Sequence, residues 1–279
     1  MGNKERGERI RRQIVRDVRH HPTDISKHIA KIFSISVQAV NSHIRRLESE
    51  GWLTSTGIGK GKRYFLGDVR EYKSLFPLTE DFAEDTVWRN QYSYIFDGLP
   101  ENIVDICQYG FTEMVNNVID HSGGKNIYIS ATRDREKLMI LVFDDGEGIF
   151  RKIKRLCRLD DERQALLELS KGKLTTDPEN HTGEGIFFTS RVLDKFEIDS
   201  KGVKFSHDDK FKFDFILETE FSKNDPGTSV YMLLNRDSDR QIQAIFDEYA
   251  GPDEFQFNRT VIPVRLAQYG NEKLVSCSS

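Results

Sequence analysis

The sequence predicts an α+β protein in two parts: a small domain of three helices and a hairpin, then a larger body with helices on one face of a mixed sheet. Three observations carry this. Helix-spaced apolar residues run up to Gly51 and give way to two short β-like stretches. Strand-like and helical runs then alternate through the rest of the chain. At 279 residues there is room for one large and one small domain, at about 100–200 residues each. The expected division is 1–72 for the head, 73–79 for a linker, 80–250 for the body and 251–279 for a C-terminal strand and tail.

Composition narrows the function. With 37% hydrophobic and 31% charged residues the chain can build a core. No apolar run approaches the roughly 20 residues of a membrane span, and MGNKERGERIRR lacks the apolar stretch of a signal peptide. Cys107, Cys157 and Cys277 form no CxxC pair, so neither a disulfide framework nor zinc is expected. A cytoplasmic protein with no membrane partner is the expectation. Up to Arg70 there are 15 Lys+Arg against 7 Asp+Glu; totals of 41 and 45 leave 26 against 38 for the remainder. A basic head on an acidic body is expected where the head alone meets a polyanion.

In the head, Ile10, Ile14, Val15 and Val18 give a helical spacing over Arg9 to Val18. Pro22 and Asp24 open a second helix with Ile25, Ile29 and Ile32 inward. Ser36 is a good N-cap for a third, whose Val37, Val40, Ile44 and Leu47 form one face. WLTSTGIGKGKRYFL then supplies two strands joined by a Gly- and Lys-rich tip. Three helices and a hairpin resemble a winged helix-turn-helix domain. Gln38, Asn41, Ser42 and Arg45 fall away from the apolar face of the third helix, with Arg46 near its edge. They suit base edges and phosphates in a major groove of duplex DNA. Lys60, Lys62 and Arg63 at the tip suit phosphates. Protein docking or dimerisation is the alternative use of such a domain. His20, His21, His28 and His43 read as surface or packing residues.

In the body, Leu78 to Leu99 reads as helical with Trp88, Tyr92 and Ile95 inward, and Pro100 restarts a helix to about His121. Glu113 and Asn117 are four apart and Asp120 is three further on, so they share a face. A solvated face is the plain alternative, yet Ile103, Ile106, Met114 and Val118 anchor this helix in apolar surroundings. Lys137 to Phe143 reads as a buried strand followed by DDGEGI, for which a hairpin turn is the bland reading. Gly183-Glu184-Gly185 opens a helix whose free N–H groups suit phosphate oxygens. Phe211, Phe213, Phe215 and Leu217 alternate as a strand with one apolar face, and GTSVYMLL gives another.

Read together, FTEMVNNVIDHS, FDDGEGIF and HTGEGIFFTS resemble the nucleotide site of the GHKL superfamily of ATPases and kinases, over roughly Glu80 to Asn235. The resemblance implies a Bergerat-type two-layer sandwich with ATP and Mg²⁺ as ligands. It implies Glu113 as the base that activates water, with Asn117 on Mg²⁺ and Asp144 accepting from the adenine amino group. Gly146 and Gly148 then let the backbone approach base and sugar, Gly183 and Gly185 serve the phosphates, and Thr228 lies near adenine. Asp120 matches a nucleotide-site position of the hydrolysing branch; His121 matches a histidine of the anti-sigma kinase branch. Phe150 to Thr182, with Arg151, Lys152, Lys154, Arg155 and Arg158, is the expected lid, and Lys171 and Lys173 lie near its end.

From Phe257 the sequence is similar to the opening of a STAS-like domain, with a single edge strand, Val261 to Leu266, as the alternative. Three functions stay open: an ATP-hydrolysing switch with a DNA-binding head, a serine/threonine kinase acting on a STAS-like partner, and an ATP-binding regulator without turnover. A homodimer is compatible with each.

Overall fold

The computed structural model describes residues 3–170, 185–211, 214–218, 225–249, 264–268 and 271–277. It is an α+β structure in two compact units. One holds Met1–Glu71 with Thr132–Arg135; the other holds Tyr72–Ala131 and Glu136–Ser279.

The first unit is built from α1 (Asn3–Asp17), α2 (Ile25–Phe33), α3 (Val37–Ser49), β1 (Leu53–Thr56) and β2 (Arg63–Leu66). Ile10, Ile14, Ile25, Ile29, Val40 and Ile44 form its core. α1 starts six residues before the expected Arg9 and runs through Gly7; Glu5 and Glu8 stand four before Arg9 and Arg12 and support the added turns. Ser36 caps α3 as expected, its Oγ accepting the Ala39 N–H at 3.2 Å. Two expected core residues are exposed instead: Ile32 (49%) and Val37 (38%). The chain leaves α2 through Ser34 in the left-handed region (φ 51°), and Phe33 and Ile35 pack on the core in their place. β1 and β2 form an antiparallel hairpin from Leu53↔Leu66 to Thr56↔Arg63, with a 3₁₀ turn (Gly59–Gly61) at its tip.

The strands of the second unit belong to a nine-stranded sheet. They are β3 (Arg70–Pro77), β4 (Asn126–Arg133), β5 (Lys137–Asp144), β6 (Lys195–Ser200), β7 (Val203–Asp208), β8 (Asp214–Glu218), β9 (Ser229–Asn235), β10 (Val264–Gln268) and β11 (Asn271–Cys277). Their order is β11-β10-β8-β7-β6-β9-β5-β4-β3. The β5–β9, β6–β9, β6–β7, β7–β8 and β10–β11 pairs are antiparallel, and β10 runs parallel to β8. The helices are α4 (Glu84–Val87), α5 (Ser93–Phe96), α6 (Glu101–His121), α7 (Ile149–Cys157), α8 (Glu162–Ser170), α9 (Gly185–Val192) and α10 (Ile242–Tyr249). Period-two burial along β4, β5 and β9 sends Ile129, Ile140 and Met232 to one face, where α6 lies on β5 and β9.

Several expectations change here. The segment read as a linker is mostly β3, the last strand of the sheet order, with Tyr72 and Phe76 packed on the core; Pro77 lacks an N–H but ends the strand. The expected helix over Leu78 to Leu99 is shorter, α4 and α5 joined by a π-helical turn over Trp88–Tyr92. Leu78 does not join it because its N–H bonds the Lys125 carbonyl at 2.8 Å. Trp88 stacks on Phe96 (4.9 Å between ring centroids), and the Tyr92 hydroxyl donates to the Ile129 carbonyl at 2.9 Å. These contacts hold α4 and α5 to the core beside α6.

β5 is half-buried by alternation, not buried throughout, since Lys137 and Met139 are exposed. In β8 the buried face carries Asp214 and Ile216, while Phe215 and Leu217 are only half-buried and Phe211 lies in the preceding turn; Phe213 lies outside the described residues. β10 is not an edge strand, because β8 and β11 flank it within the sheet. Among the described residues, no helix is long and apolar enough to cross a membrane.

Candidate functional site

α6 is the frame of the site. Its 21 residues bury Ile106, Phe111, Met114 and Val118 against the sheet, so the residues one turn apart on an adjoining face meet whatever lies beside β5. There Met114, Asn117, Val118, His121 and Ser122 form one wall of a pocket. Asp144 at the end of β5, Ile149 at the start of α7, Ile186 in α9, Ile198 in β6, Thr228 just before β9 and Val230 within it complete it, with Val142. Three of the site residues expected from sequence, Asn117, Asp144 and Thr228, are thus brought to one cavity from three segments.

Asp144 is 2% exposed. Its Oδ1 accepts the Gly146 N–H at 2.8 Å, and its own N–H donates to the Thr228 carbonyl at 3.0 Å. Burial pushes its carboxyl above the usual range; the Gly146 and Thr228 backbone groups draw it back, Asp145 adds to the rise and Lys201 opposes it. Thr228 Oγ1 accepts the Ile149 N–H at 2.9 Å, which joins β9 to the first turn of α7. The two adjacent acids divide the work. Asp144 faces the pocket, while Asp145 Oδ1 accepts the N–H groups of Lys125 (2.7 Å) and Asn126 (2.9 Å) and pins the loop to β4. Hydrogen bonds from Asn126 come first among the causes that hold the Asp145 carboxyl low.

The glycines permit close approach. Gly148 has φ +93°, and a β-carbon there would come 2.7 Å from Ser200 Oγ. A β-carbon on Gly146 would collide with the Ser122 carbonyl oxygen, and one on Gly185 with the Glu113 carboxylate. Glu113 therefore rests against the first residue of α9, one turn before Asn117. The Asn117 amide nitrogen lies 4.0 Å from Met114 Sδ, which leaves the amide oxygen on the opposite side of the group.

Not every expected residue joins the site. Asp120 is exposed and does not line the pocket; the half-buried His121 does. Gly183, Lys171 and Lys173 lie outside the described residues. Ser200 was not expected: it is 1% exposed, and its Oγ donates to the Gly227 carbonyl at 2.9 Å and lies 3.4 Å from Thr228 Oγ1. Its partners are 27 and 28 residues away, so no local pattern marks it. No group of three or more His, Cys, Asp or Glu able to hold a metal is found among the described residues. A cation here would take one amide oxygen from the chain and its remaining ligands from a bound anion and water, which suits Mg²⁺.

In the first unit Gln38, Ser42, Arg45 and Arg63 are exposed. Asn41 is half-buried and accepts from Ser26 Oγ at 2.7 Å. Lys62 Nζ is 3.3 Å from Glu48 and lies over the Tyr64 ring; the side chain of Lys60 lies outside the described residues. His20 is exposed, while His28 Nε2 meets Asp17 at 2.8 Å and its ring stacks on His21.

A scan against protein-family models finds no match, and a search of the curated proteins finds none either.

Proposed function

We propose that the second unit binds Mg²⁺-ATP in the Asp144 pocket and hydrolyses it, and that the first unit is a winged-helix head that binds duplex DNA. The observation that supports the nucleotide reading most is the environment of Asp144. A single buried carboxylate, fixed by backbone N–H groups in a slot walled by Ile149, Ile186 and Ile198, suits a flat apolar ring carrying one amine donor. Adenine is such a ring. In this reading the fold is of Bergerat type, and the resemblance to GHKL nucleotide sites supplies the remaining roles.

Asn117 would hold Mg²⁺, which neutralises phosphate charge when bound. Glu113, against the start of α9, takes a proton from water as the water oxygen bonds to the γ-phosphorus. The bond to the β–γ bridging oxygen breaks and ADP leaves. Gly185 brings the N-terminal N–H groups of α9 to the same place, a favourable setting for phosphate oxygens.

One observation favours a second reading. His121, the match to the anti-sigma kinase branch, lines the pocket, whereas Asp120, the match to the hydrolysing branch, does not. A serine/threonine kinase acting on a STAS-like partner would use the same pocket and transfer the γ-phosphoryl group to a hydroxyl. With γ-labelled ATP, free phosphate supports the switch and label on an added partner supports the kinase.

Calorimetric titration with Mg²⁺-ATP tests the shared basis of both readings. Asp144→Asn removes a charged acceptor worth about 1.5–3 kcal/mol, so affinity should fall roughly tenfold to a hundredfold. Unchanged affinity in a folded variant refutes the adenine assignment.

A further inference from the structure

Among the described residues, the twelve that line the pocket include an acid, two hydroxyls, an amide and an imidazole, but no Lys or Arg. A polyphosphate calls for cations or N–H donors. Lys152 is not a lining residue but is tied to two that are. Ile149, one turn before it on α7, lines the pocket, and the Lys152 N–H donates to the Gly148 carbonyl at 3.0 Å, which fixes that first turn. The ammonium donates to the His121 carbonyl oxygen at 2.5 Å. His121 is itself a lining residue, at the end of α6. Lys152 therefore ties the start of α7 to the end of α6, the elements that contribute Ile149 and His121 to the pocket.

Its neighbours on α7 are placed otherwise. Arg155 pairs with Glu147 at 2.7 Å, and Arg151 is exposed. The Lys152 ammonium is half-buried and already localised, so little side-chain freedom remains to be lost when an anion arrives. Its present acceptor is a neutral carbonyl carrying the partial negative charge of a helix C-terminus. A phosphate oxygen is a full anion and forms the stronger, charge-assisted bond.

We propose that Lys152 is a phosphate-binding residue, whose ammonium moves from the His121 carbonyl to the phosphate next to the nucleoside in a bound nucleoside di- or triphosphate. The proposal rests on the nucleotide reading above. It adds a consequence: the end of α6 loses its cationic cap when phosphates bind, beside Ser122, whose carbonyl accepts the Glu147 N–H at 3.2 Å. Phosphate occupancy is thereby felt by the loop that carries Gly146.

The test uses the full chain and two probes, ATP and adenosine, titrated by calorimetry into the parent, Lys152→Met and Lys152→Arg. Lys152→Met should weaken ATP about tenfold to a hundredfold and leave adenosine unchanged, and Lys152→Arg should keep most of the ATP affinity. A residue that only caps α6 would move both probes together or neither, and either result overturns the proposal. A parent that binds neither probe refutes the nucleotide reading itself. A parent that binds both, with a variant that loses only ATP, supports the assignment.

Discussion

The two units keep their polar chemistry in different places. In the second unit the candidate groups are buried and fixed: Asp144 by Gly146 and Thr228, Thr228 by Ile149, Ser200 by Gly227. In the first unit Gln38, Ser42, Arg45 and Arg63 stand exposed on a helix and a hairpin. A buried polar group must be satisfied, so the fold dictates its geometry. An exposed cation is dictated by little and acts at longer range through charge. Changes in the second unit should therefore be felt as lost geometry or stability, and changes in the first as lost charge and a changed response to salt.

The largest expected effect is at a buried ion pair outside the pocket. Asp214 is fully buried; its two oxygens meet Arg191 at 2.9 and 2.5 Å, and Oδ1 lies 2.7 Å from His207 Nδ1. Burial pushes its carboxyl up, but the bonds from His207 and Arg191 and the Arg191 charge outweigh that and hold it low. A carboxyl lowered on folding adds stability above its unfolded value near 3.9 and loses it as pH falls through the folded value. Asp214→Asn should cost about 3–5 kcal/mol at pH 7, because it leaves Arg191 buried without its counter-charge. Denaturant melts from neutral to acid pH should then show a flatter acid limb than the parent. A parent-like limb would place the acid sensitivity elsewhere.

The next effect sharpens the contrast from the side of the head. Neutralising Lys60, Lys62 and Arg63 together should weaken duplex binding and lower the salt slope by about 0.9 for each phosphate no longer neutralised, with the melting temperature near that of the parent. Lys62 should count for less than Arg63, since Glu48 already engages it. No duplex affinity in the parent at low salt would turn the head into a docking module. The smallest effect is Ser36→Ala, which should cost about 1 kcal/mol through the lost cap of α3. Here a head residue acts through geometry, so its removal should leave the salt slope unchanged.

How much of this was legible follows the same divide. Asn117 could be placed from its position on one helix and Asp144 from the strand that ends in DDGEG, because local patterns decide both; Glu113 rests on Gly185 and is not a lining residue. The head's three helices and hairpin were legible for the same reason, down to the Ser36 cap. What the sequence hid depends on distant partners. Asp214 sits on the buried face of β8, against the alternation of phenylalanines, because Arg191 lies 23 residues earlier. Ser200 matters only through Gly227 and Thr228. β3 read as a linker because a strand at the end of a sheet needs only a few apolar residues, and Pro77 looked like a boundary. His121, not Asp120, lines the pocket because the turn of α6 brings the former round to Asn117 and Ser122.

In the proposed function one helix carries both a base and a binder, Glu113 against α9 and Asn117 in the pocket. Phosphate release from Mg²⁺-ATP, measured beside equilibrium binding in the parent and in Glu113→Ala, tests it most directly. The expected result is ATP bound with near-parent affinity and turnover reduced by about 10²–10⁴, the range for a lost general base. Asn117→Ala, run in parallel, should show its effect in affinity instead. Hydrolysis at the parent rate by Glu113→Ala would contradict the account and leave the pocket a site of binding alone.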